Sequence, residues 1–144
     1  MIRRLRLSDV ARQLLPKHVE GTDLACTHAG LILLAKRLVE EHPEPLGLMD
    51  VIVARNGFGR QVDSFETELD IASLSGGAFH AVFIRAPIVV EVGPGVEAIA
   101  WLDDETIVAA QQDNLLATAF HPELTDDPRM HRFFLRMVDC DVPA

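Results

Sequence analysis

Apolar and polar positions along the chain follow two periods, one typical of helices and one typical of strands. Helical spacing occurs in 3–15, in 30–41, where leucines share one face and charged residues lie largely on another, and in 128–138. Short apolar or alternating runs, bounded by turn residues, predict strands at 22–27, 49–54, 61–66, 78–84, 96–102, 106–111 and 115–120.

This order of elements favours an α/β fold, with a mostly parallel sheet and an antiparallel excursion. The run 49–54 is almost continuously apolar, which is typical of a strand covered on both faces. Turn residues occur at 76–77, 94–95 and 103–104. A further turn is predicted at Asn56-Gly57, with a positive φ for Gly57. At 144 residues the chain is long enough to bury a sizeable core, and we expect one domain spanning 1–144.

Composition narrows the range of partners. Thirteen basic and twenty-two acidic residues give a net charge of −9, which opposes binding to nucleic acid. No apolar run reaches the roughly 18 residues of a membrane-spanning helix, and the N-terminus lacks the apolar core of a signal peptide. The two cysteines, Cys26 and Cys140, form neither a disulfide framework nor a zinc-binding spacing. We therefore expect a cytoplasmic protein with no nucleic-acid or membrane partner.

The segment FHPELT, residues 120–125, carries the strongest chemical signal. It follows an apolar strand and places His121 and Glu123 two residues apart. A carboxylate beside a histidine can fix the tautomer of the ring, and this pair is the base half of a nucleophilic triad. From these two residues alone, a structural role is an equal alternative.

A second motif, CTHAG at 26–30, lies where a predicted strand turns into a predicted helix. Such an elbow exposes its central side chain, here His28, and directs backbone N–H groups and a helix N-terminus towards one point. That geometry suits a nucleophile and an oxyanion.

Five segments resemble the glutaminase subunit family of pyridoxal 5′-phosphate synthase, which belongs to the class I glutamine amidotransferases. They are AGLILLAK at 29–36, LGLMD at 46–50, RNGFGRQVDSFE at 55–66, FIRAP at 83–87 and FHPELT at 120–125. The resemblance extends over about 24–138. The segments FGRQVDSFE and FIRAP are more specific than any triad motif shared by all class I glutamine amidotransferases.

The resemblance implies a flavodoxin-like domain that hydrolyses L-glutamine, needs neither cofactor nor metal, and passes ammonia to a partner synthase subunit. A cysteine thiolate would attack the amide, His121 would serve as base and then acid, and Glu123 would orient the histidine. Arg55 and the pair Ile84–Arg85 match the family's glutamine-contacting positions. An arginine suits a substrate carboxylate because it forms paired, charge-assisted hydrogen bonds. A surface ion pair is the alternative role for Arg55.

Two departures from the family pattern bear on activity. The family elbow reads Gly-Thr-Cys-Ala-Gly, and an ungapped match puts Cys26 at the first glycine and His28 at the cysteine. The backbone N–H of Ala29 would join the oxyanion hole. Imidazole does not readily replace a thiolate in this reaction. Shifting the match by two residues would make Cys26 the nucleophile but would displace the thiol by about 7 Å.

The second departure concerns the N-terminal part of the fold. Family members carry an earlier βα unit and a Pro-Gly-Gly-Glu-Ser loop before the elbow, so we expect a copy that lacks the first βα unit and is impaired as a glutaminase. The alternative is a non-catalytic copy that at most binds the synthase subunit. A metal site would need Cys26, His28, His121 and Glu123, whose ligand types fit but whose Cys-x-His spacing is weak.

Overall fold

The computed structural model describes residues 24–27, 29–41, 43–58, 64–103 and 105–137, with the backbone alone for 24–27 and 29. The predicted helix at 3–15 and the residue His28 lie outside these ranges. The elements are, in order, β1 (Leu24–Thr27), α1 (Ala29–Leu34), β2 (Ala35–Leu38), β3 (Met49–Ala54), β4 (Ser64–Leu69), β5 (Phe79–Ile84), β6 (Ile88–Val92), β7 (Glu97–Trp101), β8 (Ile107–Gln112), β9 (Leu115–Thr118), a 3₁₀ helix (Pro122–Leu124) and α2 (Arg129–Met137).

Seven of these strands form one mixed sheet in the order β1-β9-β8-β6-β3-β2, with β7 paired to β8. Parallel ladders join β1 to β9 and β2 to β3 at the two ends, and the ladders between them are antiparallel. Strands β4 and β5 form a separate antiparallel sheet. The predicted α/β class is confirmed, but the main sheet is mixed rather than mostly parallel, since among the described strands only the β1–β9 and β2–β3 ladders are parallel. The two parallel ladders matter for function, because parallel strands bring their carboxyl ends to the same edge of a sheet, where open α/β folds bind ligands.

Buried side chains from α1, both sheets and α2 form one hydrophobic core. Its largest fully buried members include Phe79 and Phe83 of β5, Phe120 after β9, and Leu31 and Leu34 of α1. Each such side chain contributes roughly 1.5–3 kcal/mol through removal of apolar surface from water. None of the helices in the described part of the chain has the length and apolar character needed to cross a membrane.

Arg129, the first residue of α2, fastens that helix to the segment that precedes β5. Its guanidinium and Nε donate to the Asp127 carboxylate at 2.7–3.0 Å, and the guanidinium donates to the carbonyl oxygens of residues 75, 77 and 78 at 2.8 Å. It also lies 5.7 Å from the centre of the Phe79 ring. Hydrogen bonding to Arg129 holds the pKa of Asp127 below its ordinary value. These contacts hold the start of α2 against the segment that precedes β5.

The strands predicted at 49–54, 78–84, 96–102, 106–111 and 115–120 are confirmed to within two residues at each end, and the closing helix corresponds to α2. In β3 only one face is fully buried, since Asp50, Ile52 and Ala54 are half-buried. The strand predicted at 61–66 is observed as Ser64–Leu69 in the described residues. Strand β6 is not among the predicted elements, although its run IVVEV is rich in β-branched residues.

The predicted helix at 30–41 is wrong beyond Leu34, where the chain continues as strand β2. Backbone N–H groups of residues 46–48 bind the carbonyl oxygens of residues 33–35, so the end of α1 is satisfied from outside the helix. In β2 the outer residues Ala35 and Leu38 are buried and the two between them are exposed. A register shift in the β2–β3 ladder permits this pattern, which has the same three-residue spacing as one helical turn.

The predicted turn at Asn56-Gly57 is observed, but Gly57 has no positive φ. A close approach explains the glycine instead, because a Cβ at this position would lie 2.5 Å from Cγ1 of Ile88. The predicted turns at 76–77 and 94–95 do contain glycines with φ near +90°.

Candidate active site

His121 and Glu123 form the hydrogen-bonded pair expected from their spacing. The ring Nδ1 lies 2.6 Å from Oε1 of Glu123. An ionised carboxylate only accepts hydrogen bonds, so Nδ1 carries a proton, and in the neutral ring Nε2 is the atom with a lone pair for proton transfer. The His121 side chain is 19% exposed and that of Glu123 47% exposed, so the base is sheltered while its carboxylate partner faces water.

The backbone around this pair is fixed by local and long-range hydrogen bonds. Thr118 Oγ1 donates to the carbonyl of Phe120 at 2.8 Å inside the core. The backbone N–H of His121 donates to the carbonyl of Val82 in β5 at 2.9 Å. Pro122 opens the 3₁₀ helix, where its missing N–H costs nothing. This short helix brings Glu123 back beside the imidazole, which an extended chain would not do, because residues two apart on an extended strand are separated by about 7 Å.

The parallel pairing of β1 with β9 relates the elbow to this pair. Cys26 is level with Ala117 and Thr27 with Thr118, so the two strands end at the same edge of the sheet. Ala29 begins α1 immediately after position 28. Cys26 lies one residue before the end of β1 at Thr27. Which of positions 26 and 28 corresponds to the family's nucleophile stays a prediction, because His28 lies outside the described residues.

Ile84 and Arg85 lie at the carboxyl end of β5, two and three residues after the carbonyl that binds His121. The Ile84 side chain is 41% exposed. Arg85 has a φ of 45°, a left-handed conformation that costs a non-glycine residue roughly 1–3 kcal/mol. Strain of this kind occurs often where a side chain is aimed for function. The structure thus brings this pair and the backbone of His121 to the carboxyl-terminal half of β5.

Arg55 begins the turn that follows β3 and is exposed. Its backbone N–H donates to both carboxylate oxygens of Glu40, at 3.0 and 3.1 Å. Partial burial would raise the pKa of Glu40, but the backbone N–H groups of Arg55, Glu40 and Asn56, with the Arg55 guanidinium, hold that pKa below its ordinary value of 4.5. The sequence pattern predicts a helix at 30–41 that includes Glu40, and no sequence signal connects this residue to Arg55.

Phenylalanine rings connect the Arg55 turn to the histidine. Phe58 ends the turn and lies 5.1 Å from Phe65 and 6.0 Å from Phe83, between ring centres. Phe83 stacks on Phe65 at 4.7 Å and meets Phe120 edge-on at 5.7 Å. These four rings form an aromatic row. Phe83 precedes Ile84 and Phe120 precedes His121, so the row is next in sequence to three of the predicted site segments. The connection is through packing; the site side chains themselves come from the turn after β3, the carboxyl end of β5 and the segment after β9.

In the described part of the chain no group of three or more His, Cys, Asp and Glu side chains is placed to hold a metal ion. A cavity of about 310 Å³ is lined by Lys36, Arg37, Asp50, Ile52, Glu91 and Gly93. None of these residues belongs to the predicted site, and the Lys36 amine already pairs with Asp50 at 3.4 Å.

Comparison with known proteins identifies the family to which the chain belongs. A family model described as the SNO glutamine amidotransferase family matches residues 4–140. The pyridoxal 5′-phosphate synthase subunit PdxT of Herpetosiphon aurantiacus is 54% identical over 130 residues, which are 88% of this chain and 68% of the relative. PdxT of Thermotoga petrophila is 47% identical over 138 residues, 96% of this chain and 73% of the relative. A crystal structure of a glutamine amidotransferase superposes with a TM-score of 0.77 at 44% identity, covering 92% of this chain and 68% of that one. The chain belongs to the SNO glutamine amidotransferase family.

Proposed function

We propose that the chain is a glutaminase-type subunit of a pyridoxal 5′-phosphate synthase, built to hydrolyse L-glutamine to glutamate and ammonia for a synthase subunit in the cytoplasm. The observation that carries the proposal is the His121–Glu123 pair, hydrogen-bonded at 2.6 Å and held at the end of β9. Family membership and relatives named PdxT support the same reading.

The pair would serve both halves of a thiol-dependent amide hydrolysis. Nε2 of His121 would take the proton of the attacking thiol while sulfur bonds to the amide carbon. It would return that proton to the nitrogen as the C–N bond breaks and ammonia leaves. It would then deprotonate the water that hydrolyses the thioester. The Glu123 carboxylate would stabilise the imidazolium formed in each half-reaction, while Arg55 and Ile84–Arg85 would hold the amino-acid end of glutamine.

In this copy the nucleophile position is occupied by His28, and we propose that its glutaminase activity is impaired for that reason. Loss of the nucleophile in a comparable hydrolase lowers kcat on the order of 10⁶-fold. Cys26 is a poor substitute, since two residues along an extended strand span about 7 Å.

The same substitution favours a second candidate function: a non-catalytic copy that binds the synthase subunit without supplying ammonia. The two candidates differ in whether position 28 is the sole defect. In the first, the pocket is intact and needs only a thiol. In the second, restoring the thiol changes nothing.

Ammonia release from L-glutamine tests the proposal, using the purified chain with and without a synthase subunit. Variants His28→Cys, His28→Ser and Cys26→Ala are compared with the original chain, which carries no substitution. We expect no release above background for the original chain and for the serine control, and a rate at least tenfold higher for His28→Cys. Activity of the original chain that Cys26→Ala abolishes would overturn the ungapped match. Silence of His28→Cys, together with retained binding to the synthase subunit, would favour the non-catalytic alternative.

A further inference from the structure

Glu40 lies where it can control the conformation of the Arg55 turn. Strands β2 and β3 are parallel, and Leu38 is level with Val53. The backbone N–H of Val39, the next residue, donates to the carbonyl of Val53 at 3.0 Å. Glu40 is therefore two residues beyond the end of β2, and Arg55 two residues beyond Val53. The parallel register alone brings the carboxylate to the first residue of the turn.

The contact between them is specific. Both Glu40 oxygens accept the single backbone N–H of Arg55, at 3.0 and 3.1 Å. The pKa of Glu40 is held below its ordinary value despite partial burial, by Arg55 and Asn56 backbone N–H groups and by the Arg55 guanidinium. The carboxylate thus remains ionised at neutral pH and binds the start of the turn.

The rest of the turn is fixed by packing. Gly57 lies so close to Ile88 that no Cβ fits between them. Phe58 sits against Phe65 and Phe83 in the aromatic row. These contacts hold the second half of the turn, and the hydrogen bonds to Glu40 restrain the first half, where Arg55 is exposed.

We propose that Glu40 is a positioning residue for glutamine binding: it fixes the backbone of Arg55, so that the guanidinium is presented to the carboxylate of the substrate in one orientation. The inference rests on the proposed function, in which Arg55 contacts glutamine. Preorganisation of this kind raises affinity because the ordering of the turn does not have to accompany binding.

Two effects of Glu40 on a bound carboxylate oppose each other. Its negative charge repels the ligand, but water and salt screen that repulsion at an exposed site. Its acceptor oxygens order the turn. Two substitutions of Glu40 separate these effects. Glu40→Gln removes the charge and keeps an acceptor oxygen, whereas Glu40→Ala removes both.

Calorimetric titration with L-glutamine, and with D-glutamine as a specificity control, measures the affinity of the full chain and its variants. We expect Glu40→Ala to raise Kd about fivefold and Glu40→Gln to stay within about twofold of the original, the range that one hydrogen bond supports. Glu41→Ala, which removes the same charge from the exposed neighbouring residue, should leave Kd unchanged. Amide hydrogen exchange at Arg55 should be faster in Glu40→Ala only.

The outcomes separate this inference from the proposed function. If the original chain binds L-glutamine and Glu40→Ala binds equally well, Glu40 has no positioning role and the proposed function stands. If Glu40→Gln loses as much affinity as Glu40→Ala, charge rather than the acceptor oxygen matters, and the inference is overturned. If the original chain does not bind L-glutamine, the proposed function fails and the inference falls with it.

Discussion

Replacing Phe83 by leucine tests whether the aromatic row holds the site together. Phe83 is fully buried and its ring meets three others, those of Phe58, Phe65 and Phe120, at 6.0, 4.7 and 5.7 Å between centres. Phe79 offers a matched control in the same strand. It is also fully buried, but its ring meets only one other ring in the described residues, that of Phe120 at 5.8 Å.

The difference between the two variants isolates the ring contacts. Both lose the same side-chain volume from fully buried positions, so the transfer and cavity contributions largely cancel. Each aromatic pair contributes about 0.5–1.5 kcal/mol beyond the area it buries. Two additional pairs at Phe83 give a difference of about 1–3 kcal/mol. The Arg129 guanidinium over the Phe79 ring makes this difference in stability smaller, because Phe79→Leu loses that contact as well. We therefore expect Phe83→Leu to be less stable than Phe79→Leu by about 1–2 kcal/mol.

Urea unfolding of the two variants and the original chain measures this difference through the midpoints, provided that the slope m is the same in all three. Equal midpoints for Phe83→Leu and Phe79→Leu would show that the rings of the row contribute only as apolar volume. A lower midpoint for Phe79→Leu would refute the reasoning outright.

Three further predictions concern single contacts. In ¹⁵N spectra the His121 ring should be a single Nδ1-protonated tautomer, and Glu123→Ala should give a mixture; identical spectra would show that the 2.6 Å bond does not fix the tautomer. Gly57→Ala should lower stability by about 1–3 kcal/mol through overlap with Ile88, and an unchanged urea midpoint would contradict that close approach. Hydrogen bonds to two glutamates raise the pKa of His80 above its ordinary value of 6.5. The stability that His80 contributes is therefore complete below pH 6.5 and is lost as pH rises through the raised value; His80→Gln should abolish that pH dependence.

Sequence reasoning succeeds where the deciding interactions are local. The His121–Glu123 pair is an example, because two residues and a proline suffice to place the carboxylate beside the ring. Strands β5, β7, β8 and β9 are another, since alternation and turn residues mark them clearly.

It fails where a distant partner decides. The segment 35–38 has a spacing that fits a helical turn equally well, and its strand conformation depends on pairing with β3. The glycine at position 57 reads as a turn residue, but Ile88, thirty-one positions later, explains it. Glu40 binds Arg55 only because the β2–β3 register aligns the ends of the two strands. In each case the information lies in tertiary contacts that no local pattern contains.

The same distinction explains why a change at position 28 is compatible with an intact base. Three contacts that hold His121 are those with the Glu123 carboxylate, the Val82 carbonyl, and the Thr118 hydroxyl on the preceding carbonyl. These three come from β5, β9 and the segment after β9. None of the three is made by the side chain at position 28. Because these three hydrogen bonds are made without position 28, His28→Cys tests whether a thiol there is enough for glutaminase activity, and for this reason it is the variant that separates the two candidate functions.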